Sequence, residues 1–177
     1  DKPALSALWP NKKGMSVVLD LGANIECSPK NLIDFSIMGS SLFKSLYPDD
    51  SAKVALLNIG SEEFKGNEVI KETYQQLNQR NNSDFEFKGY IEGNQLMNGD
   101  VNVIIADGFT GNVALKTAEG TASFITSELK KAMTGNLIGK ISSLLNISNL
   151  SKFKKRLDPR LYNGAIFIGL DSPVIKS

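Results

Sequence analysis

Apolar and polar positions alternate in two different rhythms along this chain. Met15–Leu21 is a short, mostly apolar run, which predicts a buried strand. Ser28-Pro29 then supplies a helix N-cap followed by proline at the first helical position. Leu32, Phe35, Met38, Leu42 and Leu46 follow at helical spacing until Pro48-Asp49-Asp50. The same strand-then-helix succession occurs twice more, without any internal sequence repeat. Val54–Ile59 predicts a strand and Glu68–Leu77 a helix, with Asn81-Asn82-Ser83 as a turn. Phe85–Ile91 is a weaker strand, and Val101–Ala106 is the most apolar one. A helix over Val113–Met133 carries Leu115, Ala118, Ala122, Ile125 and Leu129 on one stripe. Ala165–Leu170 and Val174–Ile175 predict a closing pair of strands around the Asp171-Ser172-Pro173 turn. Strands that are apolar runs, separated by helices, imply a three-layer α/β/α fold with a mostly parallel sheet covered on both faces. The whole of 1–177 reads as one α/β segment.

Residues 134–156 break this rhythm and read as a basic, amphipathic helical insertion. Apolar Leu137, Ile138, Ile141, Leu144, Leu145, Ile147, Leu150 and Phe153 are interleaved with or followed by Lys140, Lys152, Lys154, Lys155, Arg156 and Arg160. Three roles suit such a stretch: a helical hairpin packed on its own domain or a subunit partner, contact with an anionic bilayer, or docking of an acidic protein.

Composition narrows the chemistry. The 177 residues contain no His and one Cys. A Ser-His-Asp triad, a Cys-His dyad, a His-ligated zinc and an internal disulfide are therefore excluded for this segment. A net charge of +1, from 20 basic and 19 acidic residues, argues against a nucleic-acid binder. No apolar run of about 18 residues could cross a bilayer, and Asp1-Lys2-Pro3 leads into no signal-peptide core. A cytoplasmic protein is expected.

Three strand ends carry loops of related composition: Leu19–Asn24, Asn58–Asn67 and Ala106–Asn112. In an open α/β sheet ligands bind beyond the carboxyl ends of the strands. Glycine lets backbone N–H groups approach an anion, Asn supplies neutral donors, and Lys65 is a point charge suited to phosphate. Gly and Asn are also common in any tight strand-to-helix connection, but three such loops on one edge favour an anion pocket. Neither a dinucleotide-binding G-x-G-x-x-G nor a P-loop is present. Asp20 and Asp107 have two candidate roles: holding Mg²⁺ or sharing a proton, and, favoured, capping or bracing the loops. Cys27 lies close to the first loop with nothing nearby to activate it, and reads as a small buried residue.

The motifs L-D-x-G-A-N (Leu19–Asn24), L-L-N-x-G-x-E-x-x-K-G-N-E (Leu56–Glu68), D-G-F-x-G-N-V-x-L-K (Asp107–Lys116), R-L-D-x-x-x-Y-x-G-A (Arg156–Ala165) and P-V-I-K (Pro173–Lys176) occur in this order. Together they resemble the bacterial phosphate acyltransferases of phospholipid synthesis, nearly end to end. The resemblance implies a fold like that of phosphotransacetylases and the isocitrate and isopropylmalate dehydrogenases. It implies conversion of fatty acyl groups on acyl carrier protein, with inorganic phosphate, to acyl phosphate, and no cofactor is expected. It further implies a homodimer, peripheral membrane association and a downstream membrane acyltransferase that consumes the product. Family members have an additional N-terminal half and continue past Ser177 into a His-Gly pair, so this chain is expected to be the C-terminal core of a longer protein.

Resemblance and residue chemistry together assign Lys65 to phosphate and Asn112 to the thioester oxygen. Gly22, Gly60, Gly66, Asn67, Gly108 and Gly111 would give backbone approach, and Asp20, Asn24 and Asp107 would shape the pocket. Leu144, Leu145, Lys152, Lys154, Lys155 and Arg156 would dock a membrane or the carrier protein. Phosphate is largely dianionic near neutral pH, and a thiol of pKa about 8.5 leaves readily. Positioned neutral donors and one cation therefore suffice. Two alternatives remain at this level: an enzyme of phosphotransacetylase type using acyl-coenzyme A, and a non-catalytic scaffold of lipid synthesis at the membrane.

Overall fold

The computed structural model describes residues 2–80, 84–135, 145–157, 165–170 and 174–176. Along these run β1 (Ala4–Pro10), β2 (Met15–Leu19), α1 (Pro29–Leu46), β3 (Lys53–Asn58), α2 (Glu68–Gln79), β4 (Glu86–Glu92), β5 (Val103–Ile105), α3 (Gly108–Thr134), α4 (Ile147–Leu157), β6 (Ala165–Ile168) and β7 (Val174–Lys176). The strands form one sheet in the order β4-β3-β5-β2-β1-β6-β7. β4, β3, β5 and β2 are parallel neighbours, and their registers meet at β5, where Val103 faces both Val17 and Val54. β1 runs antiparallel to β2 and β6, and β7 antiparallel to β6. The sheet is thus mostly parallel, as the apolar runs imply. Crossings between distant strands bring the ends of β2, β3 and β5 side by side.

Strand alternation sorts the core into two layers. Val17, Leu19, Val54, Leu56, Val103 and Ile105 face α1 and α2, meeting Leu32, Phe35, Phe43, Ile70 and Leu77. Val18, Ala55, Leu57, Ile104 and Ala106 face the other way, toward Ala114, Leu115 and Ala118 of α3. Each large apolar side chain so buried contributes about 1.5–3 kcal/mol.

Helix α1 starts where its sequence signals. The Ser28 hydroxyl accepts from the Asn31 N–H and the Asn31 side chain accepts from the Ser28 N–H, a reciprocal cap with Pro29 at the first position. Two elements depart from expectation. β1 has no predicted counterpart: Ala4-Leu5-Ser6-Ala7-Leu8-Trp9 lacks β-branched residues and lies between Pro3 and Pro10. Its strand form comes from its neighbours, with Leu8 opposite Val17 and Leu5 opposite Phe167. Helix α3 starts at Gly108, five residues before the predicted start at Val113, so the third "loop" is its opening turn. Glycine, poor in helices, is tolerated there because the chain packs too closely for a side chain. A Cβ on Gly108 would lie 2.5 Å from the Asn24 carbonyl oxygen, and one on Gly111 only 1.9 Å from that of Asp20.

In the 134–156 stretch, α3 extends to Thr134 and α4 covers Ile147–Leu157. Leu144, the turns at 81–83 and 171–173, and most of the R-L-D-x-x-x-Y motif lie outside the described residues.

Candidate functional site

The β2–α1 connection is organised around Asp20, which is fully buried. One carboxylate oxygen accepts from the N–H groups of Leu5 (2.9 Å), Gly22 (3.2 Å) and Ala23 (3.0 Å). The other accepts from the Asn24 N–H (2.7 Å) and the Asn24 side-chain amide (2.8 Å). Asn24 also donates to the Pro3 carbonyl (2.7 Å), and its own carbonyl accepts from the Gly108 N–H (2.7 Å). Every carboxylate lone-pair direction is therefore directed at the protein itself, which makes Asp20 a brace that ties β1, the connection and the start of α3 together.

The β3–α2 connection is built differently. Asn58 ends β3 with its side chain turned under the loop, where it is 8% exposed. Its amide donates to the Lys65 carbonyl (3.2 Å). Its oxygen occupies the space beneath Gly66, where a Cβ would come within 2.5 Å. Gly66 has φ +94°, a backbone region that favours glycine. The Lys65 N–H donates to the Glu62 carbonyl (2.9 Å), and the Lys65 ammonium lies 5.6 Å from the centre of the Phe64 ring. Among the described residues no carboxylate lies within ion-pairing distance of that ammonium. Gly60 sits against the same side chain: a Cβ there would meet Glu62 and Lys65 at 2.8 and 3.0 Å. Glu63 is held away by the Tyr74 hydroxyl (3.0 Å). Asn67 closes the loop by capping α2, its side-chain oxygen accepting from the Ile70 N–H (2.9 Å).

At the start of α3, Asp107 caps the helix, accepting from the Thr110 N–H (2.8 Å) and hydroxyl (2.7 Å). Asn112, in the next turn, is exposed and abuts Gly22, whose Cβ position lies 3.5 Å from the Asn112 side chain. The two aspartates thus serve as brace and cap, and among the described residues no group of three or more His, Cys, Asp or Glu could hold a metal.

These connections converge. Gly22 meets Asn112, Asn24 meets Gly108, Asp20 meets Gly111, and Asn67, Asp107 and Thr110 border one cleft of about 430 Å³. Cys27 borders it too. Burial, then the Asp20 charge, raise its thiol to about 11, against a weaker lowering by the Gly108 backbone, so it stays protonated at neutral pH and is no nucleophile. Lys65 stands on the same edge, on the connection that ends in Asn67. Of the residues expected to dock a membrane or the carrier protein, Leu145 is exposed just before α4, Lys152 is exposed within it, and Lys154, Lys155 and Arg156 belong to its last turn. Asn58 has no role in the sequence reading. Its signal there is a polar residue ending an otherwise apolar strand, two positions before a glycine.

The fold resembles that of the EutD phosphotransacetylase from Staphylococcus aureus, with a TM-score of 0.52 and 14% identity over 70% of this chain and 43% of that one. Among curated proteins, the chain is 93% identical over its full length to a phosphate acyltransferase of Pelagibacter ubique (strain HTCC1062), covering 53% of that relative. It is 46% identical to a phosphate acyltransferase of Rhodospirillum rubrum, again over the full chain and 50% of the relative. The chain therefore spans about half the length of the curated relatives it matches. The model of the family described as fatty acid synthesis protein matches residues 1–177. On this agreement of the ordered loops, the fold and the full-length match, the chain belongs to the fatty acid synthesis protein family, alongside the phosphate acyltransferases it resembles.

Proposed function

We propose that the protein containing this chain transfers a fatty acyl group from acyl carrier protein to inorganic phosphate, giving acyl phosphate and free carrier protein for phospholipid synthesis. The observation that carries this reading is the Lys65–Gly66 turn, fixed from beneath by Asn58 and presenting an ammonium that no described carboxylate neutralises. Lys65 binds the phosphate dianion. One phosphate oxygen forms a bond to the thioester carbon, and the carbonyl oxygen takes up negative charge. The exposed amide of Asn112 donates to that oxygen. The C–S bond then breaks, and the carrier thiol leaves with a proton from solvent. Neither step requires an imidazole, because the nucleophile is already ionised and the thiol is a good leaving group.

Asp20, Asn24 and Asp107 act by holding the two flanking connections in register. The glycines Gly22, Gly60, Gly66, Gly108 and Gly111 act by allowing close packing. The exposed Leu145 and Lys152 belong to a stretch of the sequence, together with Leu144, Lys154, Lys155 and Arg156, that we assign to contact with an anionic bilayer or the acidic carrier protein, in a homodimer that passes acyl phosphate to a membrane acyltransferase. No helix among the described residues is long and apolar enough to cross a membrane, which suits peripheral contact. The test is formation of hydroxylamine-trapped acyl phosphate from palmitoyl-carrier protein and phosphate by the full-length protein. Lys65→Ala and Asn112→Ala should each abolish or sharply reduce it while the protein stays folded. Wild-type rates in both would overturn the assignment. A preference for acyl-coenzyme A over acyl-carrier protein would overturn the donor.

A further inference from the structure

The cleft between the start of α1 and the N-termini of α2 and α3 has walls of two kinds. Ile25, Cys27, Leu32, Val69, Ile70 and Phe109 supply an apolar lining, and Ile25 and Phe109 are 71% and 64% exposed at its mouth. The charged groups on its walls are both acidic, Glu26 and Asp107, and no lysine or arginine borders it among the described residues. An anion placed there would face two carboxylates, and the nearby Lys2 ammonium is engaged by the Glu26 carbonyl (3.2 Å), so phosphate is assigned outside the cleft, to Lys65. What fits the walls is a neutral, apolar group. The cleft adjoins the phosphate turn along the chain: Asn67, two residues after Lys65, forms part of its border.

We propose that this cleft takes the alkyl chain of the acyl donor, with the carbonyl end toward Asn67 and Thr110 and the methyl end toward Val69 and Leu32. The inference rests on the acyl-transfer reading above and adds to it the residues that measure the chain. Each methylene buried along the walls strengthens binding by about fourfold, the value for removing one CH₂ from water. Val69 and Phe109 then set chain-length preference, and Cys27 is a built-in reporter of occupancy.

Two arms test this in the full-length protein. In the first, kcat/KM is compared for butyryl- and palmitoyl-carrier protein with phosphate. Val69→Trp, which narrows the cleft from α2, should lower the palmitoyl value at least tenfold more than the butyryl value. Phe109→Ala, which removes an apolar wall at the mouth, should shift the same ratio by about threefold in the same direction. Retained butyryl turnover shows that each variant is folded. Equal changes for both donors, or none, overturn the cleft as the chain site. The second arm needs no turnover: without phosphate, palmitoyl-carrier protein should slow alkylation of Cys27 by iodoacetamide at pH 9 at least fivefold, read by peptide mapping, whereas butyryl-carrier protein at the same concentration should not. Protection without any turnover of either donor would overturn the acyl-transfer reading and leave the cleft standing. Turnover without chain-length discrimination or protection would overturn the cleft alone.

Discussion

The β2–α1 and β3–α2 connections leave the same edge of the same sheet and share a vocabulary of Asn, Gly and one charged residue, yet their polar atoms point in opposite directions. In the first, Asp20 is buried and its carboxylate is consumed by five donors from β1 and its own loop. Nothing remains of it for a ligand. In the second, the buried polar group is the neutral Asn58, and it holds backbone, leaving the charged Lys65 side chain uncommitted among the described carboxylates. The difference teaches that a residue type at a strand end does not define a binding site. What decides is whether its hydrogen-bonding capacity is satisfied within the fold or left over. A brace and a ligand-binding loop can be written in nearly the same letters.

The largest effect is expected on the bracing side. Asp20→Ala strands several N–H groups that have no other partner in the connection, at a cost of about 1–3 kcal/mol for each one left buried and unsatisfied. Urea unfolding of the full-length protein should show a loss of at least about 3 kcal/mol. A loss below about 1 kcal/mol would break the claim that this connection is structural.

Asn112 tests where the two sides meet, since it rests on Gly22 of the braced connection but is assigned to the reacting oxygen. Asn112→Ala should lower kcat/KM by 10²–10³, about 2.7–4 kcal/mol, as for loss of one oxyanion donor. As an exposed helical position its stability should change by no more than about 0.5 kcal/mol. A large stability change with modest kinetics would move Asn112 to the bracing group.

Asn58→Ala sharpens the other half of the comparison. It should raise the KM for phosphate about tenfold with kcat for the acyl donor within about twofold, because the turn that aims Lys65 loosens. In a Lys65→Ala background the same change should have less than a twofold effect, since a positioning residue has nothing left to position. Equal effects in both backgrounds would make Asn58 a general stabiliser.

The smallest effect concerns Cys27. Its thiol ionises near 11 in the folded protein against an ordinary value of 9.0, because burial and the Asp20 carboxylate both disfavour the thiolate. The folded state holds this proton more tightly than the unfolded chain. The resulting contribution to stability is complete below about pH 9 and fades as pH rises through about 11. Alkylation rates should climb near pH 11 in native protein and near pH 9 in urea. Coincident profiles would contradict the burial of the Cys27 thiol beside the Asp20 carboxylate.

Much of the fold is legible in the sequence because its strands are buried on both sides. Val17-Val18-Leu19 and Val103-Ile104-Ile105 can only be strands of a covered sheet, and Ser28-Pro29 announces a helix that begins there. β1 is not legible, since Ala4–Trp9 acquires its conformation from β2 on one side and from β6, some 160 residues away, on the other. The start of α3 is hidden for a related reason: Gly108 and Gly111 read as loop residues, and only their contact with Asn24 and Asp20 explains glycine in a helical turn. In the site, Lys65, Asn67 and Asn112 are visible as residues of suitable chemistry on one edge. That Asp20 and Asn24 spend their polar atoms on each other, and that Asn58 supports Gly66 from below, depends on tertiary geometry that no spacing encodes.

Phosphate is proposed to bind at the β3–α2 connection and not at its neighbour. Calorimetric titration of inorganic phosphate into the full-length protein, at fixed ionic strength, tests it most directly. Lys65→Ala should weaken binding at least tenfold with an unchanged unfolding midpoint. Phosphate affinity equal to that of the wild type would place phosphate elsewhere than at Lys65.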